Sequence, residues 1–566
     1  MSASHRPPRV PLRAFLALQP RHWLAALFVA LVVIVWFAGI GTRSLIEPDE
    51  GRYAEIAREM FASGNWVMPR FDGFKFYDKP PLQYWATTLA YHAFGVQHWT
   101  ARLFSALAGL LSVLAVWYAA RRVWDPRRGR VAALVCVSLF LVVAAGHINS
   151  LDMGVAAFLT VALGAFLIAE HGCDSVSSQR RWMLATWAAM GLAVLSKGLI
   201  GVVLPGATLF VYIVWQRDWN LLRRLHLIPG LAILLALTVP WFVLLARTDD
   251  QFLSFFFIHE HFGRFLSKVA NRNQPFWYYL PIVIAGLLPW TAFLSVTLRN
   301  AWRVATREKQ GAMRLVLIWT VVVLLFFSIS GAKLPLYVLP MFPAFAWLIA
   351  GAITQLESMA IARRLLPIAI LAVIGAGLAL WLPYSNLLKG AQAAYSAICS
   401  LAAVAMTLLA VGAGIAWTLA RRGRVDAAIA AAALGGLLFT QALLFAYQRL
   451  APTASAQTMA ALARPYVRAD APVYAVQMFY RGLPFYLQRP VTLVAERPYD
   501  LLAGIDWEPQ LQIADLSAFA AAWTAHPGAV AFMPQGTFQT LMQQQLSMHV
   551  VARTSDTVIV QNPESQ

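Results

Sequence analysis

Charge is scarce in this 566-residue chain: only 13% of residues are Asp, Glu, Lys or Arg, and acids are the rarer sign, 26 against 45 basic residues. A soluble domain of this size carries about a quarter of its residues charged, so a fully water-exposed exterior is excluded. Cysteine is rarer still. Cys136 and Cys399 lie inside apolar runs and Cys173 in a short polar loop, with none after residue 399. That excludes a disulfide framework and leaves the compartment open. Also missing are a P-loop, a dinucleotide-binding glycine fingerprint and a G-x-S-x-G elbow, which argues against nucleotide-driven chemistry and serine hydrolysis. The net charge of +19 does not point to nucleic acid, because the basic residues fall in short clusters between apolar stretches instead of sharing a face with aromatics.

What is present is apolar length. Sixty per cent of residues are hydrophobic and the mean hydropathy is +0.61, so the bilayer is the expected solvent. A helix needs about 20 apolar residues to cross the hydrocarbon with its amides bonded internally. Segments near that length occur at 23–40, 100–120, 131–147, 154–170, 182–197, 199–215, 227–246, 276–298, 315–331, 335–355, 365–382, 393–419 and 427–449. The expected fold is therefore an all-α polytopic membrane protein of about thirteen spans, covering residues 1–449. Arg6, Arg9, Arg13 and Arg21 precede the first apolar run with no small-residue cleavage site after it, the pattern of an uncleaved signal anchor.

Charge sets the orientation. With the N-terminus cytoplasmic, alternate loops collect 24 of the 45 basic residues, while the opposite loops hold Glu47, Asp49, Glu50, Glu55, Glu59, Asp72, Asp78, Asp152, Asp249, Asp250 and Glu260. The positive-inside rule makes the acidic side external. An odd number of spans then places residues 450–566 outside as a small α/β domain, with strands expected at 473–476, 484–487, 491–494, 529–533 and 557–560.

Two outer loops, 42–98 and 247–275, are long enough to carry function. From Pro48 to Met60 the spacing predicts an amphipathic helix on the membrane surface. Asp49 and Glu50 occupy its first turn, where a carboxylate caps a helix as readily as it serves a reaction. The aromatic run from Phe74 to Trp85 reads as an interface belt with Tyr77, Tyr84 and Trp85 at headgroup depth. It encloses Asp78 and Lys79, stiffened by two prolines. Asp152 sits in the turn before the fourth span, as a functional acid or as a cap. Arg264 and Lys268, four apart, suit an anion. The His259-Glu260-His261 triplet is a weak divalent-metal candidate at His259 and Glu260, since adjacent positions project in different directions. Lys333, with Tyr337 one turn on, either binds an anion or snorkels to the interface. Together these gather carboxylates (Asp49, Asp152) beside cations (Arg52, Lys79, Arg264, Lys333) at one membrane boundary. Cations stabilise a phosphate leaving group and carboxylates contact a sugar or acceptor, which suits sugar transfer from a lipid-linked phosphate.

The run PDEGRYAEIAREMFASGNWVMPRFDGFKFYDKPPLQYW resembles the first-loop signature of the GT-C membrane glycosyltransferases related to protein O-mannosyltransferases, particularly the lipid A aminoarabinose transferases. LDMG, SKGLIGVVLPG, HEHFGRFLSKVANRNQPFWYYLP, SGAKLPLYVLPMFP and RGLPFYLQRP extend the resemblance over nearly the whole chain. It implies a GT-C fold and a bacterial inner-membrane enzyme that uses undecaprenyl-phosphate-linked 4-amino-4-deoxy-L-arabinose to modify lipid A phosphates, giving polymyxin resistance. Asp49 and Asp152 would line the transfer site. Lys79 and Arg264 would hold the donor phosphate, with Arg52, Tyr77, Lys333 and Tyr337 nearby. No required cofactor, no nucleic acid and a monomer are expected. A GT-C enzyme with another acceptor, such as protein, is the near alternative. A flippase is disfavoured, because transporters place charge near the midplane and often repeat their halves, and no repeat is visible here.

Overall fold

The computed structural model describes residues 20–257, 274–307, 311–385, 387, 392–450 and 455–563. Two compact units divide the chain, Met1–Ala38 and Gly39–Gln566. The first contains α1 (Pro20–Phe37), an apolar helix whose Trp23, Leu24, Leu27 and Ile34 are exposed.

The second unit begins with the first loop. Helix α2 (Asp49–Ser63) ends at Gly64 in the left-handed conformation, φ 69°, which suits a residue without Cβ. A two-stranded hairpin, β1 (Arg70–Phe71) and β2 (Phe74–Lys75), and helix α3 (Leu82–Phe94) complete the loop. Helix α4 (His98–Val123) starts at a capping box formed by Gln97 and Thr100. Asp125 caps α5 (Pro126–Ser138) by accepting from Arg128 N at 2.8 Å, and a 62° bend leads into α6 (Phe140–Gly146). Then come α7 (Leu151–His171), α8 (Val176–Lys197), α9 (Ile200–Gln216), the short α10 (Leu221–Arg224) and α11 (Leu227–Thr248). Helices α12 (Tyr279–Gly286) and α13 (Leu294–Thr306) meet across a sharp turn. They are followed by α14 (Gly311–Ile329), α15 (Met341–Ile353), α16 (Ser358–Trp381), α17 (Gln392–Arg421) and α18 (Val425–Tyr447).

All thirteen expected segments fall on helices or bent helix pairs. Among the described residues, seven single helices are long and apolar enough to cross a membrane, or nine with the two bent pairs. The gap from thirteen has a physical basis. Helices α1, α9 and α15 are short, and α8 opens with the polar stretch Ser177 to Arg181.

The C-terminal portion carries a five-stranded sheet of order β4-β3-β5-β7-β6, from β3 (Val473–Val476), β4 (Thr492–Val494), β5 (Val530–Pro534), β6 (His549–Arg553) and β7 (Thr557–Gln561). The first three strands pair in parallel, while β7 runs antiparallel to β5 and β6. The run at 484–487, expected as a strand, is a short helix, Leu483–Leu487, because Pro484 at its first turn cannot donate to a ladder but fits helix entry. Strand β6 was absent from the expected set.

Side chains alternate along β3, so the sheet has two different faces. Tyr474 and Val476 pack with Phe519, Trp523, Phe538 and Leu541 from helices Leu516–Ala525 and Gln535–Gln543. Val473 and Ala475 instead join one buried cluster with Tyr53, Ile56, Phe71, Phe76 and Tyr84 of the first loop. The loop is thus a layer of the C-terminal core. Consequently α2 does not lie on the membrane surface with a wet polar face: Glu50, Arg52, Glu55 and Arg58 are all buried, and Glu55 pairs with Arg58 through two 2.6 Å bonds. Nor does the aromatic run form an interface belt, since Tyr77 and Tyr84 are fully buried.

Candidate functional site

Asp49 is the first residue of α2, and its side chain is 41% exposed. The N-cap residue, Pro48, makes no side-chain cap, and Asp49 lies in the first turn, where a carboxylate also suits the helix N-terminus. The Asp49 carboxylate pairs with Arg52, one turn on. Arg52 is buried, and its other arm donates to Asp500 of the C-terminal portion at 2.9 Å. Asp500 also accepts from Arg481 at 2.8 Å. Burial alone would raise the Asp500 carboxyl, but its bonds to Arg481 and the charge of Arg52 hold it at about 2. A relay Asp49–Arg52–Asp500–Arg481 therefore runs from the exposed acid into the C-terminal portion. Arg52, expected as a phosphate ligand, is committed to this relay, with its guanidinium 4.8 Å from the Tyr53 ring.

Glu50 locks the same turn from the opposite side. One oxygen accepts from Arg102 Nε at 2.7 Å and Asn149 N at 2.9 Å. The other accepts from Arg102 at 2.8 Å, Arg43 at 3.2 Å and Ile46 N at 3.1 Å. Burial would push this carboxyl up, yet Arg102 and Arg43 hold it at about 2. Because Asn149 belongs to the turn before α7, Glu50 ties the Asp49 turn to the Asp152 turn.

Asp152 is the second residue of α7 and, like Asp49, lies in the first turn of its helix. It pairs with Lys197, the last residue of α8. The Lys197 ammonium stands 4.4 Å from the centre of the Tyr337 ring, a cation–π contact. Asp49 and Asp152 share a neighbourhood: the Tyr53 hydroxyl, raised first by burial, feels the charge of both. The charge of Asp78 reaches Arg52, and Lys79 donates to the Asp78 carbonyl at 2.7 Å. Asp49, Arg52, Lys79, Asp152 and Tyr337 are thereby brought to one end of the helix bundle.

Two expected members are bonded to protein partners. Tyr77 is fully buried and donates to Asp249 at 2.8 Å, beside a 2.6 Å Lys75–Asp249 ion pair. Lys333 is buried rather than snorkelling, its ammonium donating to Ser330 O at 2.7 Å. His259, Glu260, His261, Arg264 and Lys268 lie outside the described residues. Among the described residues no group of three or more His, Cys, Asp or Glu is arranged to hold a metal ion.

A half-exposed acid beside a lysine-paired acid, backed by arginines and aromatics, can receive a charged sugar and its phosphate. Comparison with known proteins narrows this. Residues 459–562 match the aminoarabinose transferase C-terminal domain, and residues 78–244 match the dolichyl-phosphate-mannose-protein mannosyltransferase family. The crystal structure of ArnT from Cupriavidus metallidurans bound to undecaprenyl phosphate is 37% identical, covering 97% of this chain and 100% of that one with a TM-score of 0.90. The chain belongs to the ArnT family.

The undecaprenyl phosphate-alpha-4-amino-4-deoxy-L-arabinose arabinosyl transferases of Erwinia tasmaniensis and Edwardsiella ictaluri are 36% and 37% identical to this ArnT-family chain. Those alignments cover 58% and 59% of this chain and span the same shares, 58% and 59%, of those relatives' length. An Archaeoglobus fulgidus oligosaccharyltransferase shares the fold, with a TM-score of 0.50 over 91% of this chain and 69% of that one, at 14% identity.

Sequence reasoning missed Lys197, Asp500 and Arg481. Lys197 stands inside SKGLIGVVLPG, where it read only as the end of the segment 182–197. Asp500 carries no local signal, since Arg52 lies 448 positions away, and Arg481, 19 positions from Asp500, stood in RGLPFYLQRP only as part of the resemblance.

Proposed function

We propose that this ArnT-family chain transfers 4-amino-4-deoxy-L-arabinose from undecaprenyl phosphate to lipid A phosphate groups on the periplasmic side of the bacterial inner membrane. The observation that carries this reading is the match along 97% of the chain to an ArnT crystallised with undecaprenyl phosphate. The half-exposed Asp49 close to the Asp152–Lys197 pair supports it. The positive-inside pattern supports a cytoplasmic N-terminus, with Asp49, Asp152 and the C-terminal portion on the periplasmic side.

In the reaction an oxygen of the lipid A phosphate attacks the anomeric carbon of the sugar. The bond from that carbon to the undecaprenyl phosphate oxygen breaks, and undecaprenyl phosphate leaves with the electron pair. The acceptor phosphate is already ionised at neutral pH and needs no base. Asp49 is therefore assigned to the positive charge that develops on the sugar ring and to its amine. Arg52 holds the Asp49 carboxylate in place, and Lys79 and Arg264 neutralise the leaving phosphate. Neither nucleic acid nor a required metal enters this scheme, and the working unit is a monomer.

The test is mass spectrometry of lipid A from cells expressing the wild type, Asp49→Asn or Lys79→Ala. Aminoarabinose on lipid A with the wild type, and its loss or steep reduction with either variant, is expected. Unmodified lipid A alongside glycosylated protein would replace this reading with a mannosyltransferase-like one, the activity named by the family that residues 78–244 match.

A further inference from the structure

Helices α8 and α9, α10 and the start of α11 enclose a cavity of about 310 Å³. Met183, Trp187, Met190, Val202, Leu209 and Phe210 are among the residues that line it. Its one hydroxyl wall residue, Thr186, donates to Trp182 O at 3.1 Å and offers the interior nothing polar. Gly206 also lines the space, and a Cβ there would meet no atom within 4 Å. The cavity lies toward the far end of the bundle from the transfer site: α8 reaches Asp152 with its last residue, Lys197, whereas the wall uses the earlier stretch from Met183 to Met190.

The mouth is different in character. Trp219 and Leu222 line it and are exposed, as are Arg217 and Arg223 beside them in sequence. Arg224 is satisfied by Glu170 at 2.9 Å and Asp218 at 2.7 Å. Arg217 and Arg223 meet no carboxylate among the described residues. An apolar slot edged by the exposed Trp219 and Leu222, with the exposed Arg217 and Arg223 flanking those two in sequence, matches an amphiphile with a hydrocarbon chain and a negative head.

We propose that this cavity is a binding site for one acyl chain of an anionic glycerophospholipid, with Arg217 and Arg223 holding its phosphate. The site is separate from the one assigned to sugar transfer and does not depend on that assignment. Each cation near a lipid headgroup adds about a fivefold preference for negative charge, so phosphatidylglycerol is favoured over phosphatidylcholine.

The experiment measures the thermal midpoint of the full chain in detergent, titrated with dioleoyl phosphatidylglycerol or dioleoyl phosphatidylcholine. The wild type is expected to gain several degrees with phosphatidylglycerol and less with phosphatidylcholine. Gly206→Leu fills the slot and should lose the response to both lipids. Arg217→Ala/Arg223→Ala should lose the difference between them while sugar transfer persists. Equal stabilisation of the wild type by both lipids overturns the headgroup assignment. A Gly206→Leu variant that responds like the wild type overturns the chain site. If Gly206→Leu does not fold, the paired arginine variant still decides: an undiminished preference for phosphatidylglycerol refutes the proposal.

Discussion

Gly51 offers a sharp test of how the C-terminal portion controls the transfer site. A Cβ placed on Gly51 would stand 2.6 Å from the nitrogen and 2.7 Å from the Cα of Gly482, with Arg481 C at 3.2 Å. Ordinary contact begins near 3.4 Å, so backbone must yield to backbone by about 0.8 Å. That displacement falls on two bonds, from Arg481 N at 2.8 Å and Gly482 N at 2.7 Å to the Glu47 carboxylate. Both would stretch to the limit of hydrogen bonding. Overpacking of this kind costs about 1–3 kcal/mol. The rate suffers as well, because the same movement pulls Asp500 from Arg52 and so Asp49 from its place, and a misplacement of about 1 Å can lower a rate about a hundredfold. Gly51→Ala, reconstituted with polyprenyl-linked donor and lipid A, is therefore expected to transfer sugar about 10- to 100-fold more slowly, with a reduced thermal midpoint. Gly536→Ala, whose added carbon meets nothing within 4 Å, serves as the control and should match the wild type. A Gly51→Ala enzyme within twofold of the wild type, with an unchanged midpoint, would refute the coupling.

Asp500→Asn keeps the shape of the side chain but removes the charge that Arg52 and Arg481 share. It should lower kcat with little change in KM, and equal kinetics would show that Arg52 positions Asp49 unaided. Lys197→Met keeps the length and drops the charge opposite Asp152. Transfer should fall by about tenfold or more while the protein still purifies folded, and an unchanged rate in the lipid A assay would remove Lys197 from the site. The buried Glu55 and Asp72 and the half-buried Glu59 share one cation among the described residues, Arg58, and burial with the neighbouring Glu55 pushes Glu59 up to about 8. The folded state then holds a proton that the unfolded chain releases near 4.5. Stability from this group is full below that value and falls by about 1.4 kcal/mol per pH unit until the carboxyl ionises near 8. Thermal midpoints between pH 5 and 8 should decline less steeply in Glu59→Gln, and parallel slopes would rule Glu59 out.

Much of the helical plan was legible because the bilayer imposes one length and one polarity, and each apolar run announced itself. The position of Asp49 could be read in the same way: the spacing around Ile56 gave a helix, and the acid fell at its start. The same pattern misled about surroundings. The polar face of Glu55 and Arg58 reads as solvated, yet both are buried, with Asp72 of the hairpin and Glu59 beside them. Tyr77 looked like a headgroup residue for the same reason, although its hydroxyl serves Asp249. Lys197 escaped notice because a lysine at a span end is ordinary, and only the crossing of α7 and α8 reveals that it faces Asp152. Pairings of this kind are tertiary facts, and local periodicity contains no trace of them.

The layer that the first loop contributes to the C-terminal sheet bears on how the molecule is made. Leu45 donates to the Tyr486 hydroxyl across 441 positions of sequence, and a ribosome reaches the second residue long after the first has left it. Throughout that interval Tyr53, Ile56 and Phe71 have only their partners within the loop, such as Tyr84 and Phe76, and the side meant for the sheet must be kept from straying, as late-closing contacts generally require. An incomplete chain therefore holds Asp49 and Arg52 without the Asp500 and Arg481 that brace them. That brace forms only after the chain has been made as far as residue 500.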